Sequence, residues 1–207
     1  GRGLSYPNMS IRASETRDLR QKILTAAAQL FIRQGYHGLA MRQIAEAVGV
    51  SKAALYYHFR DKEELFLAIL ADYLNDMETL IDQVQAEGGT SRDLIQRLVR
   101  SILNQPAEQR AVIRLASQEM AQLEPSARAS FNQAYHAKFL NKIRMILQSG
   151  MERGELRPLD PGVATWTLLG MMYPYFYPAD SNEMQVTDEV LEQILAIFLD
   201  GVVSPRG

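Results

Sequence analysis

The 207-residue chain contains no cysteine, which excludes a disulfide framework, a thiolate nucleophile and a zinc–thiolate centre. Its three histidines, His37, His58 and His136, lie too far apart to match any metal-ligand spacing, so no metal or other cofactor is expected. No uninterrupted apolar run approaches the ~20 residues needed to cross a bilayer. Gly1 to Ser10 lacks the charged-then-apolar order of a secretory signal. A cytoplasmic protein with no membrane partner is the expectation, with residues 1–14 as a flexible leader. A Gly-rich phosphate loop and a Ser/His/acid pattern are both missing, and the carboxylates are scattered, so no enzyme is expected. Charge of one sign is also lacking: 22 Lys and Arg face 24 Asp and Glu, for a net of −2.

What is present is a hydrophobic content of 47%, enough for one good core or for a small module fused to a larger one. The charge is unevenly placed. Residues 1–65 hold ten Lys and Arg against six Asp and Glu, a net of +4, which leaves −6 for the remainder. A basic head on an acidic body suits a protein that presents one end to a polyanion.

Nearly every segment carries helical periodicity and none alternates like a strand, so the chain reads as all-α with about nine helices. Leu19, Ile23, Ala26, Ala27, Leu30 and Phe31 mark the first, stopping near Gln34-Gly35. Met41 to Val48 forms a short second helix closed by Gly49. Ser51 caps a third that runs to about His58. Asp61 with Glu64 opens a long fourth helix over 61–86. Thr90 and Ser91 open a fifth, Glu108 to Leu123 holds a sixth, and Pro125 starts a seventh that stops at Gly154. Asp160-Pro161 begins an eighth, and Thr187 caps a ninth over Asp188 to Val202.

Met41 to Phe59 fits a helix-turn-helix. Ala45 is small where two helices must cross, Gly49 supplies the turn, and Ile44, Val48, Val50 and Leu55 fall on the inner faces. Lys52, Ala53, Ala54, Tyr56 and Tyr57 then point outward on a helix about as wide as the DNA major groove. The same spacing also fits a helical hairpin inside an ordinary core. Tyr56-Tyr57-His58 tips the balance toward DNA, because phenol and imidazole groups hydrogen-bond phosphate oxygens at short reach. Lys62 stands where its charge and a helix N-terminus can address one phosphate together.

The stretch Thr16 to Leu70 closely resembles the DNA-binding domain of the TetR family of repressors, above all the run from Ile44 through Val48-Gly49-Val50-Ser51-Lys52 and Tyr56-Tyr57-His58-Phe59 to Leu65. Ala28 to Tyr36 fits the family's first helix as well. The resemblance implies a helix-turn-helix domain over 15–62 and an effector-binding and dimerisation domain over 63–207. It further implies a homodimer on palindromic double-stranded operator DNA, released by a small-molecule effector. Carried over by position, Ser51, Lys52, Ala53, Ala54, Tyr56, Tyr57, His58 and Lys62 face DNA, with Thr16, Arg17 and Arg42 as flanking contacts. Ala53 and Ala54 carry no hydrogen-bonding group, so Lys52 and Arg42 are the better candidates for guanine.

In the body, Phe131, Tyr135, His136, Phe139, Trp166, Met171, Met172, Tyr173 and Phe176 are rich in aromatics and methionine. They suggest a cavity for an apolar or aromatic effector, although stripes at helical spacing also describe plain core. The last helix is apolar over more than one face, so it must cover a core and something else. Val190, Leu191, Ile194, Ile197 and Phe198 are the expected contacts with a second copy, by the resemblance. The rival reading is a DNA-binding activator or architectural protein that answers no small molecule.

Overall fold

A computed structural model describes residues 8–176 and 185–200, with side chains from Arg12 onward. The chain divides into two compact units, the first ending at Ile69 and the second beginning at Leu70. Both are helical, and no β-strand occurs among the described residues.

The first unit holds α1 (Asn8–Gln34), α2 (Met41–Val48), α3 (Lys52–His58) and the opening turns of α4 (Lys62–Ala86). Helix α1 therefore takes in residues 8–14, which the sequence had placed in a flexible leader. Asn8 to Glu15 contains no glycine or proline, so nothing stops a helix from extending upstream once the core stripe holds its middle. That stripe is Ile23, Leu24, Ala27 and Phe31, all buried. Phe31 meets Phe66 edge-on at 5.3 Å and stacks on Tyr36 at 6.0 Å. Such aromatic pairs each add about 0.5–1.5 kcal/mol beyond their burial. They pin α1, the α1–α2 connection and α4 to one another.

The second unit holds the rest of α4, then α5 (Ser91–Leu103), α6 (Ala107–Glu119), α7 (Pro125–Tyr135), α8 (Asn141–Glu152), α9 (Pro161–Met172) and α10 (Asp188–Asp200). Single 3₁₀ turns come after α6, at Met120–Gln122, and after α9, at Tyr173–Phe176. The seventh helix read from sequence is here two helices, α7 and α8, run together through a π-helical turn at His136–Leu140. Helix α10 ends at Asp200; Val202, its expected last residue, lies outside the described residues.

Helix ends obey local chemistry. Thr90 accepts from the Asp93 amide at 3.2 Å while the Asp93 carboxylate takes the Thr90 amide at 2.9 Å. Asp160 accepts from Val163 N at 2.8 Å, with Pro161 beside it in the first turn. Each such cap satisfies one of the orphan amides at a helix start and is worth about 1 kcal/mol.

Candidate nucleic-acid interface and ligand cavity

Helix α2 stops because Gly49 adopts a left-handed conformation, φ 77°, and donates to the Ala45 and Glu46 carbonyls at 3.0 and 3.2 Å. Val50 N donates to the Ala45 carbonyl as well, at 3.0 Å, which turns the chain tightly into α3. Ser51 caps α3 by accepting from Ala54 N at 3.0 Å. Its hydroxyl is thus engaged by its own helix.

Helix α3 is pinned by Leu55 and Phe59, which are 0% and 1% exposed. The Arg20 guanidinium lies 5.1 Å from the Phe59 ring centroid and covers it. The opposite face carries Lys52, Ala53, Tyr56 and Tyr57, with Tyr57 79% exposed. An aromatic side chain that open contributes nothing to the core. Lys52 Nζ lies 5.9 Å from the Tyr56 ring, and Tyr57 meets His58 edge-on at 5.2 Å. Ala54 and His58 are half-buried at the edges of this face.

The flanking residues are exposed, and two of them are engaged within their own helices. Arg42 is exposed on α2, yet its Nε is paired with Glu46 at 3.0 Å. Thr16 and Arg17 are exposed within α1 and not at its start, and the Thr16 hydroxyl donates to the Arg12 carbonyl at 2.8 Å. Lys62 departs most from the sequence reading. Its Nζ donates to the Tyr36 carbonyl at 2.7 Å and lies 4.3 Å from the Tyr36 ring centroid, so the half-buried ammonium ties the start of α4 to the α1–α2 connection.

The second unit holds a cavity of about 480 Å³, within the range of small-molecule sites. Of the candidate ligand residues, Phe131, Tyr135, Phe139, Trp166, Tyr173 and Phe176 line it. His136 does not; it is exposed on the outer side of the π turn. Met171 faces a different depression, with Met151, Leu159, Val163 and Ile197. Met172 is buried but absent from the lining. The one extra residue of a π turn rotates every later side chain about the helix axis, so His136 and Phe139 diverge, and no periodicity reveals that.

The sequence reading missed the rest of the wall: Leu70, Tyr73 and Leu74 from α4, Val112, Ile113, Ala116 and Ser117 from α6, Met120 after it, the polar Asn132 from α7, and Leu169 and Gly170 from α9. None of the lining side chains is charged. Ser117 Oγ and Tyr173 Oη are 2.9 Å apart and satisfy one another. Burial raises the Tyr135 phenol to about 12, with Tyr173 adding to the shift.

Leu191 and Ile194, expected at a partner interface, are 1% and 6% exposed and point into the unit's own core. Ile197 remains outward at 46%, while Val190 and Phe198 are half-buried. The larger apolar exposure sits on α9, at Val163 (64%) and Trp166 (58%). Helix α9 is apolar around its circumference, so its outward face is as greasy as its inward one.

Comparison with known proteins places these features. The profile described as "Bacterial regulatory proteins, tetR family" matches residues 23–69, and "Tetracyclin repressor-like, C-terminal domain" matches 88–175. The transcriptional repressor AcnR of Corynebacterium efficiens is 30% identical over 140 residues, 67% of this chain and 69% of that protein. The chain belongs to the TetR family of transcriptional regulators. Another relative, the HTH-type transcriptional repressor KstR2 of Rhodococcus jostii, is 27% identical over 191 residues, 90% of this chain and 92% of its own length. Among solved structures, AibR in complex with isovaleryl coenzyme A and operator DNA has the same fold, with a TM-score of 0.71 at 24% identity over 87% of this chain and 98% of that one. Members of the family are regulators, not enzymes. Among the described residues no helix is long and apolar enough to cross a membrane, and no cluster of His, Asp and Glu is arranged to hold a metal ion.

Proposed function

We propose that this TetR-family regulator is a homodimeric repressor whose two α3 helices enter successive major grooves of a palindromic operator, and which a small apolar effector releases. The observation that carries the DNA reading is the division of α3. One side is locked by Leu55 and Phe59, and the other offers Lys52, Tyr56 and Tyr57 to solvent. A rigid helix with exposed phenols and a cation is suited to phosphate contact, with base reading from Lys52 and from Arg42 once it leaves Glu46. Ala53 and Ala54 allow the backbone close approach.

The effector reading rests on the uncharged cavity in the second unit. The dimer reading rests on the outward apolar residues Val163, Trp166 and Ile197, whose exposure a second copy would remove. Helix α4 carries residues of both units, and three of its side chains line the cavity. A ligand that favours one orientation of α4 therefore biases the spacing of the paired recognition helices. A coupling of about 1–3 kcal/mol would lower operator affinity 5- to 150-fold.

The test is selection of genomic fragments at low salt, then titration of the winning fragment across salt concentrations. A steep salt slope and protection of two half-sites one helical turn apart are expected. A monomer at binding concentrations, or equal affinity for every fragment, would overturn the reading.

A further inference from the structure

The cavity is apolar except at a few points, and one of these is unresolved within the protein. Tyr73, on α4, is 9% exposed and lines the cavity, and its hydroxyl has no hydrogen-bond partner. A buried phenol without a partner is costly, and the side chain gains nothing from oxygen that phenylalanine would not supply. Nearby Arg110 on α6 is also buried, 8% exposed. It gives one guanidinium N–H to the Leu103 carbonyl, leaves Nε unpartnered, and meets no carboxylate among the described residues. Burial holds the Tyr73 phenol above its ordinary pKa, Tyr135 and the Asp76 carboxylate push the same way, and Arg110 acts against them, so the group stays protonated and remains a donor.

Resting on the effector reading above, we propose that the cavity selects an apolar ligand bearing a carbonyl oxygen, and that this oxygen accepts a hydrogen bond from Tyr73 Oη. A phenol oxygen can also accept, but the O–H is the donor that the protein leaves unmatched, and only an acceptor on the ligand takes it up. A protonated amine finds no carboxylate in the lining to neutralise it. Tyr73 sits on the helix that carries residues of both units, so the ligand's polar group engages α4 itself.

Three probes share one carbon skeleton: 4-phenyl-2-butanone, butylbenzene and 4-phenylbutan-2-amine. Each is titrated into the full-length protein and into Tyr73→Phe by calorimetry and by fluorescence of Trp166, the sequence's single tryptophan and part of the cavity wall. The ketone should bind Tyr73→Phe about fivefold more weakly than wild type, the worth of one net hydrogen bond. Butylbenzene should bind the variant as well as wild type or better, and the amine should bind wild type far more weakly than the ketone. Without any ligand, Tyr73→Phe should melt no lower than wild type, since the hydroxyl it loses has no partner. Equal wild-type-to-variant ratios for ketone and butylbenzene would overturn the assignment of Tyr73 while leaving the cavity as the effector site. An amine that binds as tightly as the ketone would also overturn it. Saturable binding of neither ketone nor hydrocarbon would remove the effector reading, and this inference with it.

Discussion

Replacing Lys62 with methionine keeps most of the apolar stem and removes the ammonium. In the folded chain that ammonium donates to the Tyr36 carbonyl at 2.7 Å and lies 4.3 Å from the Tyr36 ring centroid. A hydrogen bond from a charged donor contributes about 1.5–3 kcal/mol, and a cation over an aromatic face about 0.5–2 kcal/mol. Both come from one group and overlap, so the loss expected in the first unit is about 2 kcal/mol. Native-state amide exchange reads it directly: protection at Phe31, Leu65 and Phe66 should fall about 30-fold, the equivalent of that free energy. Operator binding should weaken together with this loosening, with the salt slope nearly unchanged. If Lys62 serves phosphate alone, exchange stays as in wild type while the slope of log affinity against log salt falls by about one. Unchanged protection would refute the structural role argued here.

Tyr57→Phe removes a hydroxyl from a side chain that touches no core, so operator affinity should fall while melting temperature and dimer mass stay constant; a filter-binding titration beside sedimentation checks it. Gly150 and Gly170 should respond oppositely to alanine. A Cβ on Gly150 would collide with the Ser91 hydroxyl and come within 2.8 Å of Leu156 Cδ1, whereas one on Gly170 meets nothing within 4 Å. Gly150→Ala should therefore lower the melting temperature, and Gly170→Ala should raise helix stability by about 0.5–1 kcal/mol; thermal melts of both settle it. The Glu155 carboxylate is held at about 2, against an ordinary 4.5, by the Arg153 guanidinium and then by the Ser91 amide. The folded-state value lies below the ordinary one, so this group's stabilisation is complete above about 4.5 and is lost as pH falls through about 2. Glu155→Gln should melt below wild type at pH 7, and the gap should close toward pH 2.

Local chemistry was enough to place most helix ends. Ser51, Asp61, Thr90 and Asp160 cap within three residues of themselves, and Gly35, Gly49 and Gly154 take positive φ where the chain turns. Those interactions span at most one helical turn, so they can be read without knowing what packs where. The outward face of α3 was legible for the same reason: Leu55 and Phe59, four apart, must share a side.

Facing is another matter. Whether Leu191 and Ile194 look into their own core or toward a second copy depends on which side of α10 meets α5 and α9, and apolar residues occur on both sides. Helical spacing marks Tyr73 as a buried position of the fourth helix, but its missing hydrogen bond is a property of its surroundings, not of its neighbours in the chain. Lys62 and Tyr36 stand 26 positions apart, and only packing brings an ammonium onto that carbonyl. Helix ends are governed by contacts between near neighbours in the chain, whereas cavities, pairings and orphaned groups arise from distant segments meeting, which no spacing rule encodes.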